Sequence, residues 1–364
     1  MIRTLSDMAP QALSLLPPEA AHEVTLRMLE LGFYPHPAAP DHPSLSLSFA
    51  GLTLPNPVGI AAGFDKDARV PSALLEMGCG FAEVGTVTPR PQAGNPRPRI
   101  FRLRRDHAVI NRLGFNNGGQ SAALDRLRWR FDTSGVVGVN IGANKDSIDR
   151  VADYVEGLET FADDASYFTI NISSPNTPGL RDLHAPEALD ELLTRIMAAR
   201  KGLAGKGKRQ PPVVVKLSPD IAEDDIPAIV ERLSAHDVDG IAVSNTTLSR
   251  PRLTERAAKE SGGLSGRPLF RRSTVMLAKV YQATQGKIPL IGIGGIDSGA
   301  KALAKIEAGA TLVQLYTGLI YEGPGLIARI KEHLTEAVRT AKVAAITDLV
   351  GRHAETWAAK PLEG

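Results

Sequence analysis

Eight short apolar runs rich in β-branched residues recur along the chain, and each ends in Gly, Asn, Ser or Thr. They are NPVGIAAG from Asn56, FAEVGTVTP from Phe81, VVGVNIGAN from Val136 and YFTINISSP from Tyr167, then PVVVKLSP from Pro212, GIAVSNTT from Gly240, PLIGIGGI from Pro289 and TLVQLYTGL from Thr311. Continuous apolar runs suit strands of a parallel sheet with both faces buried. Helical patterns such as SIDRVADYVEGLETFADDA, APEALDELLTRIMAARKGL and SGAKALAKIEAGA lie between most of them. Strand–helix alternation repeated eight times predicts a (β/α)8 TIM barrel, with an open doubly wound sheet as the alternative.

Two additions precede the barrel. Leu45, Leu47, Phe49, Leu52 and Leu54 alternate around Gly51, which predicts a β-hairpin at the barrel floor. Upstream, one helix is expected from about Ile2 to Leu16. Pro17 and Pro18 break it, and a second is expected from about Glu19 to Leu31, with Ala21, Val24, Met28 and Leu31 aligned. The expected division is a helical extension over 1–40, a barrel over 41–340 and a tail over 341–364 that carries no readable signal.

Composition narrows the function. Of 364 residues, 42 are basic and 40 acidic, and this near balance gives no electrostatic case for nucleic-acid binding. The single cysteine, Cys79, excludes a disulfide within the chain and a multi-cysteine metal site. No H-x-x-x-H pair suggests zinc, and no run approaches the roughly 20 apolar residues of a membrane span. Asp7 and Pro10 interrupt any signal-peptide core.

Reacting groups of such a barrel gather at the C-terminal strand ends. In order, those ends carry Gly63 and Lys66, Gly85 and Thr86, Asn140 and Asn144, Asn171 and Ser174, Lys216, Ser244 to Thr246, Gly294 and Gly295, and Tyr316 and Thr317. The set is amides, hydroxyls and two lysines, with Asp65 the one carboxylate. Asn presents a donor beside an acceptor, which matches the N–H and C=O of a pyrimidine-like ring. GIGGIDSG, Gly292 to Gly299, fails as a dinucleotide fingerprint because Asp297 occupies its sixth position. It suits a phosphate nest opening a helix, or a plain turn. GGLSGRP, Gly262 to Pro268, on the preceding loop favours the nest, and FMN or a sugar phosphate would fit it.

AAGFDK, INRLGFNN, NISSPNTPGLRDL, VVVKLSPD, VSNTT, GGLSGRPL and IGIGGIDS stand in order at matching intervals. Together they resemble the dihydroorotate dehydrogenases, specifically the membrane-associated, quinone-reducing class 2 enzymes, over roughly Pro18 to Thr335. The resemblance implies an FMN-containing barrel that oxidises dihydroorotate to orotate in pyrimidine synthesis, with a membrane quinone as acceptor. It places the chain peripherally on the cytoplasmic face of a bacterial inner membrane, touching the bilayer through its N-terminal helices. Class 1 enzymes use a Cys base and class 2 a Ser. Cys79 lies outside every motif, so by resemblance Ser174 is the base and Thr177 passes its proton onward.

The same resemblance implies substrate contacts at Lys66, Asn111, Arg112, Leu113, Gly114, Phe115, Asn171, Asn176, Asn245 and Thr246. It implies FMN contacts at Ala62, Gly63, Phe64, Asp65, Lys66, Thr86, Asn140, Asn171, Lys216, Ser244, Gly266, Gly295, Tyr316 and Thr317. His22, Arg102 and Tyr316 would line a quinone tunnel. Arg104 and Arg105 add charge that the family pattern lacks. Two rival readings remain: another FMN barrel reducing a uracil-like base in RNA, and a non-catalytic FMN-binding barrel attached to membranes.

Overall fold

The computed structural model describes residues 12–130, 134–177 and 179–362. Eight parallel strands close a barrel, which excludes the open sheet. They are β3 (Val58–Asp65), β4 (Phe81–Val87), β7 (Val136–Ile141), β8 (Tyr167–Asn171), β9 (Val213–Leu217), β10 (Gly240–Val243), β12 (Leu290–Ile293) and β13 (Ala310–Leu315), which pairs back onto β3. Nearly every strand residue is buried, because helices cover the outside and side chains fill the inside. The covering helices include α4 (Arg150–Phe161), α5 (Pro186–Gly205), α6 (Ile226–Ala235), α7 (Phe270–Thr284), α8 (Gly299–Glu307) and α10 (Leu326–Thr340). Asp149 caps α4 through the Ala152 N–H, and Ser298 caps α8 through the Lys301 N–H.

The expected hairpin is present. β1 (Leu47–Phe49) pairs with β2 (Leu52–Leu54), and Ala50 and Gly51 turn between them at positive φ. Leu47, Phe49 and Leu54 plug the barrel floor against Phe81, Tyr167, Val214, Ala242, Ile291 and Leu312. Burying one such side chain stabilises the fold by about 1.5–3 kcal/mol, so the apolar plug anchors the bottom of the barrel. Above that layer the interior becomes polar.

A second sheet has no counterpart in the sequence reading. β5 (Ile100–Leu103) and β6 (Ala108–Asn111) form a hairpin, and β11 (Gly263–Gly266) joins β6 antiparallel from more than a hundred residues away.

Most of the first expected helix lies outside the described residues. The second is α1 (Pro18–Glu30), with Pro18 at its start. Its expected apolar face divides. Ala21 is buried, together with Leu26 and Leu29, whereas Val24, Met28 and Leu31 are exposed. Ion pairs fasten α1 to the barrel. Arg69 bonds Glu23 at 2.7 Å and Glu30 at 2.6 Å, and Glu19 bonds Arg97 at 2.7 Å and Arg99 at 2.8 Å. Arg69, then Arg27, pull the Glu23 carboxyl down to about 2. The tail packs as structure too. α11 (Ala354–Ala358) lies on α7, with Trp357 edge-on to Phe270 at 6.0 Å.

Candidate active site

One cavity of about 430 Å³ opens at the C-terminal end of the barrel. Strand ends, the β5–β6–β11 sheet and α1 all contribute to its wall, so it runs from the barrel mouth to the underside of the N-terminal helix. Of the sequence-predicted residues it brings together Ala62, Phe64, Asn111, Leu113, Lys216, Ser244, Asn245, Thr246, Gly266, Gly295, Tyr316 and Thr317. His22 and Arg102 line it at the α1 end, alongside Ala21 and Leu29.

Beside the cavity runs a chain of short hydrogen bonds. Thr86 donates to Asn140 Oδ1 at 2.6 Å, and Asn171 Nδ2 donates to Thr86 Oγ1 at 2.8 Å. Asn171 Oδ1 accepts the Ser173 hydroxyl at 2.9 Å, and Asn245 Nδ2 donates to Ser173 Oγ at 2.9 Å. Each bond fixes which end of the next amide faces which way, so the amides cannot flip independently. Asn176 Nδ2 donates to the Asn111 carbonyl at 3.1 Å and ties the β8 loop to β6.

Ser174 is buried, and its Oγ accepts the Asn176 N–H at 3.2 Å. Thr177 is buried too, and its hydroxyl has no partner among the described residues. Lys66 donates to Asn116 Oδ1 at 3.1 Å. Burial, then the charge on Arg99, push its amine down to about 8.

Two predicted residues direct their side chains elsewhere. Asp65 is fully buried and accepts the Arg69 and Val70 N–H groups at 2.8 and 2.7 Å, which staples the turn after β3. Arg112 stacks over Phe101 at 4.6 Å and pairs with Glu260 at 2.8 Å. Gly63 faces the Tyr316 ring, and Gly114 and Phe115 turn at positive φ beside Asn95 and Gly142.

Burial pushes the His22 imidazole down to about 4, assisted by the charge on Lys66, so it is neutral at physiological pH. Its ring meets Phe64 edge-on at 5.5 Å and Tyr316 at 6.5 Å. Burial raises the Tyr316 phenol to about 12. Cys79 is buried, and burial pushes its thiol up to about 12 as well. No group of three metal-ligating side chains occurs among the described residues.

Three interior residues escaped the sequence reading. Glu83 sits fully buried inside the barrel and accepts from Asn140, Tyr167, Thr169 and Gln314. Gln314 lines the cavity, and its Oε1 is buried without a partner among the described residues. Lys305, fully buried, donates to Ser273 Oγ at 2.7 Å directly behind Gly294, and burial lowers its amine well below the ordinary range. The available signal was a charged or amide residue inside an apolar run or on the inner face of a helix.

The family model described as dihydroorotate dehydrogenase matches residues 44–338. The dihydroorotate dehydrogenase (quinone) of Rhizobium meliloti (strain 1021) is 52% identical over 361 residues, covering 99% of each chain. That of Brucella ovis is 54% identical over 353 residues, covering 97% of each. Among solved structures, the Eimeria tenella DHODH in complex with ferulenol superposes with a TM-score of 0.88 at 39% identity, over 92% of this chain and 95% of that one. The ligand-free form from the same organism gives 0.87 at 40% identity, over 92% and 99%. With the motif order, barrel and cavity described above, these likenesses establish that the chain belongs to the dihydroorotate dehydrogenase family, in its quinone-dependent class.

Proposed function

We propose that this chain oxidises dihydroorotate to orotate for pyrimidine synthesis, with one FMN in the barrel and a membrane quinone as final acceptor. The observation that carries the reading is one continuous cavity. It joins the Asn245–Thr246 loop and Lys216 at one end to the His22 and Arg102 wall under α1 at the other. FMN, when bound, supplies a two-electron acceptor between the two substrates.

The residues fit that group. Lys216 is buried at the cavity wall with no hydrogen bond to a described residue, which suits a cation meant for an anionic ring. The orphaned Gln314 oxygen calls for a donor. Gly266 and Gly295 have φ of 88° and 73°, and a Cβ at Gly295 would lie 2.5 Å from the Phe270 backbone. Only glycine serves there, and without a Cβ the backbone lets a phosphate approach closely. The FMN contacts we assign are also Ser244, Tyr316, Thr317, Ala62 and Phe64 of the cavity wall, with Thr86, Asn140, Gly63 and the backbone at Asp65 next to it.

Ser174 takes the proton from the ring carbon, and Thr177 carries it toward water. Lys66 and the amides of Asn111, Asn171, Asn176 and Asn245 hold the ring and its carboxylate, with Thr246 and the loop from Arg112 to Phe115 enclosing them. The carbon acid lies beside a carbonyl, so these donors stabilise the charge that develops there.

α1 forms a hood on the bilayer surface, and quinone enters past His22, Arg102 and Tyr316. No helix among the described residues is long and apolar enough to cross a membrane. The chain is assigned to the cytoplasmic face of a bacterial inner membrane as a peripheral protein. The RNA-base alternative is disfavoured by a net charge of only +2. The purified holoprotein should be yellow, bleach when dihydroorotate is added without oxygen, and recolour when quinone follows. A yellow protein that dihydroorotate does not bleach overturns the proposal.

A further inference from the structure

Asp220 lies just beyond β9, and its carboxylate gathers three loops at the catalytic end of the barrel. Oδ2 accepts from Arg181 Nη1 at 3.0 Å and from the Leu248 N–H at 2.8 Å. Oδ1 accepts the Thr247 hydroxyl and faces Arg272 Nε at 3.3 Å. Arg181 belongs to the loop after β8, which carries Ser174. Thr247 and Leu248 belong to the loop after β10, which carries Asn245 and Thr246.

The rest of the Arg181 fork reaches those loops directly. Nε donates to the Ser173 carbonyl at 3.2 Å, and Nη2 donates to the Thr246 carbonyl at 3.3 Å. Holding the Ser173 carbonyl fixes the plane of the Ser173–Ser174 peptide, because that unit is rigid. That sets the N–Cα axis about which Ser174 can turn, and the Asn176 N–H on Ser174 Oγ restrains the turn. A guanidinium can grip a carboxylate and two carbonyls at once through its planar fork, which an ammonium cannot reproduce. The polar atoms of Arg181 and Asp220 are engaged by loop groups and by each other, so their effect on the reaction runs through the loops.

We propose that Arg181 and Asp220 are positioning residues that latch the Ser174 loop to the Thr246 loop and hold the Ser174 hydroxyl toward the ring carbon. The proposal rests on Ser174 being the base. Its test uses flavin-loaded Asp220→Asn and Arg181→Lys proteins, each with and without Ser174→Ala, mixed rapidly with dihydroorotate without oxygen. Each latch variant should lower the limiting rate of flavin reduction about tenfold or more while moving half-saturation by less than about threefold, since small misplacements of a reacting group are costly to rate. Reoxidation by quinone of the dithionite-reduced variants should be unchanged. In the Ser174→Ala background the latch changes should remove nothing further, because the group they position is gone.

Wild-type limiting rates in both latch variants overturn the proposal, as does equal damage to quinone reoxidation. If Ser174→Ala is slow and the latch losses multiply on top of it, the latch falls while the base stands. If Ser174→Ala reduces flavin at the wild-type rate, the base reading falls and takes the latch with it.

Discussion

Asn140 donates from Nδ2 to Glu83 Oε1 at 2.8 Å, and this bond joins the charged heart of the barrel to the amide chain at the site. The other carboxylate oxygen accepts from Tyr167 at 2.9 Å, Thr169 at 3.0 Å and Gln314 at 2.8 Å. A fully buried carboxylate is tolerable here because four donors surround it, and its charge favours the protonated form of Lys216 against the effect of burial. Glu83→Gln keeps the shape but turns an NH₂ toward donors. It should destabilise the protein by about 1–3 kcal/mol, and Glu83→Ala, which strands all four donors, by more. Denaturant titration of the two holoproteins measures the order. Equal stability of wild type and both variants would show that the network contributes nothing to the fold.

Ser174→Ala should retain FMN and bind orotate, since only one hydroxyl leaves a site whose amides remain bonded to one another. Flavin reduction by dihydroorotate should slow by at least ~10²-fold, the usual loss for a general base. Anaerobic rapid mixing gives the rate directly, and near-wild-type reduction removes Ser174 from the mechanism.

Lys66 makes substrate affinity pH-dependent. Its amine sits at about 8 because of burial and Arg99, so the cation is present below that pH and disappears above it. A bound carboxylate favours the cation. Orotate affinity should therefore be full below pH 8 and decline as pH rises through it. Lys66→Met should weaken orotate roughly 10- to 100-fold at neutral pH, the worth of one charge-assisted bond, and flatten the decline. The limiting reduction rate should move the other way in wild type, rising with pH as the Ser174 hydroxyl becomes easier to deprotonate. Orotate binding titrations between about pH 6 and pH 10 separate the two effects. A dissociation constant that stays level across that range would rule out Lys66 as the carboxylate's partner.

The barrel was legible because a doubly buried parallel strand leaves a run that nothing else in the chain imitates. The floor hairpin was legible because Leu47, Phe49 and Leu54 alternate with polar positions. The β5–β6–β11 sheet was not, since four-residue strands that meet across more than a hundred residues leave no local period. Nor was the docked tail, where Ile346, Leu349, Ala354 and Ala358 are buried from elements too short to show a face. Strand ends collected the barrel-mouth part of the cavity because barrel chemistry concentrates there. The same habit passed over Glu83, one turn of the pleat below, and Asp220, just past the end of β9. It also took Asp65 as a wall residue, whereas backbone N–H groups occupy its carboxylate.

The exposed face of the N-terminal segment gives the last test. Leu31 and Val24 are exposed and lie outside the cavity lining, whereas Met28 and Phe33 are exposed at its edge. Ala21, His22, Thr25 and Leu29 turn inward to the same cavity, with Met28 and Phe33 at its rim. A short helix with one face on a cavity and apolar side chains on the other matches an interfacial helix better than a simple cap, which would bury its large apolar groups. The ion pairs of Glu19, Glu23 and Glu30 hold α1 in place without using that outer face. Val24→Glu with Leu31→Glu should leave folding, FMN content and reduction by dihydroorotate unchanged, since neither side chain lines the cavity. Vesicle binding should fall, because two apolar side chains are each worth about 1.5–3 kcal/mol on burial and the carboxylates oppose insertion. Turnover with a long-tailed quinone in vesicles should fall with it, while turnover with a short soluble quinone should persist. If the double variant binds vesicles and reduces the long-tailed quinone as the parent does, the membrane contact lies elsewhere on the molecule.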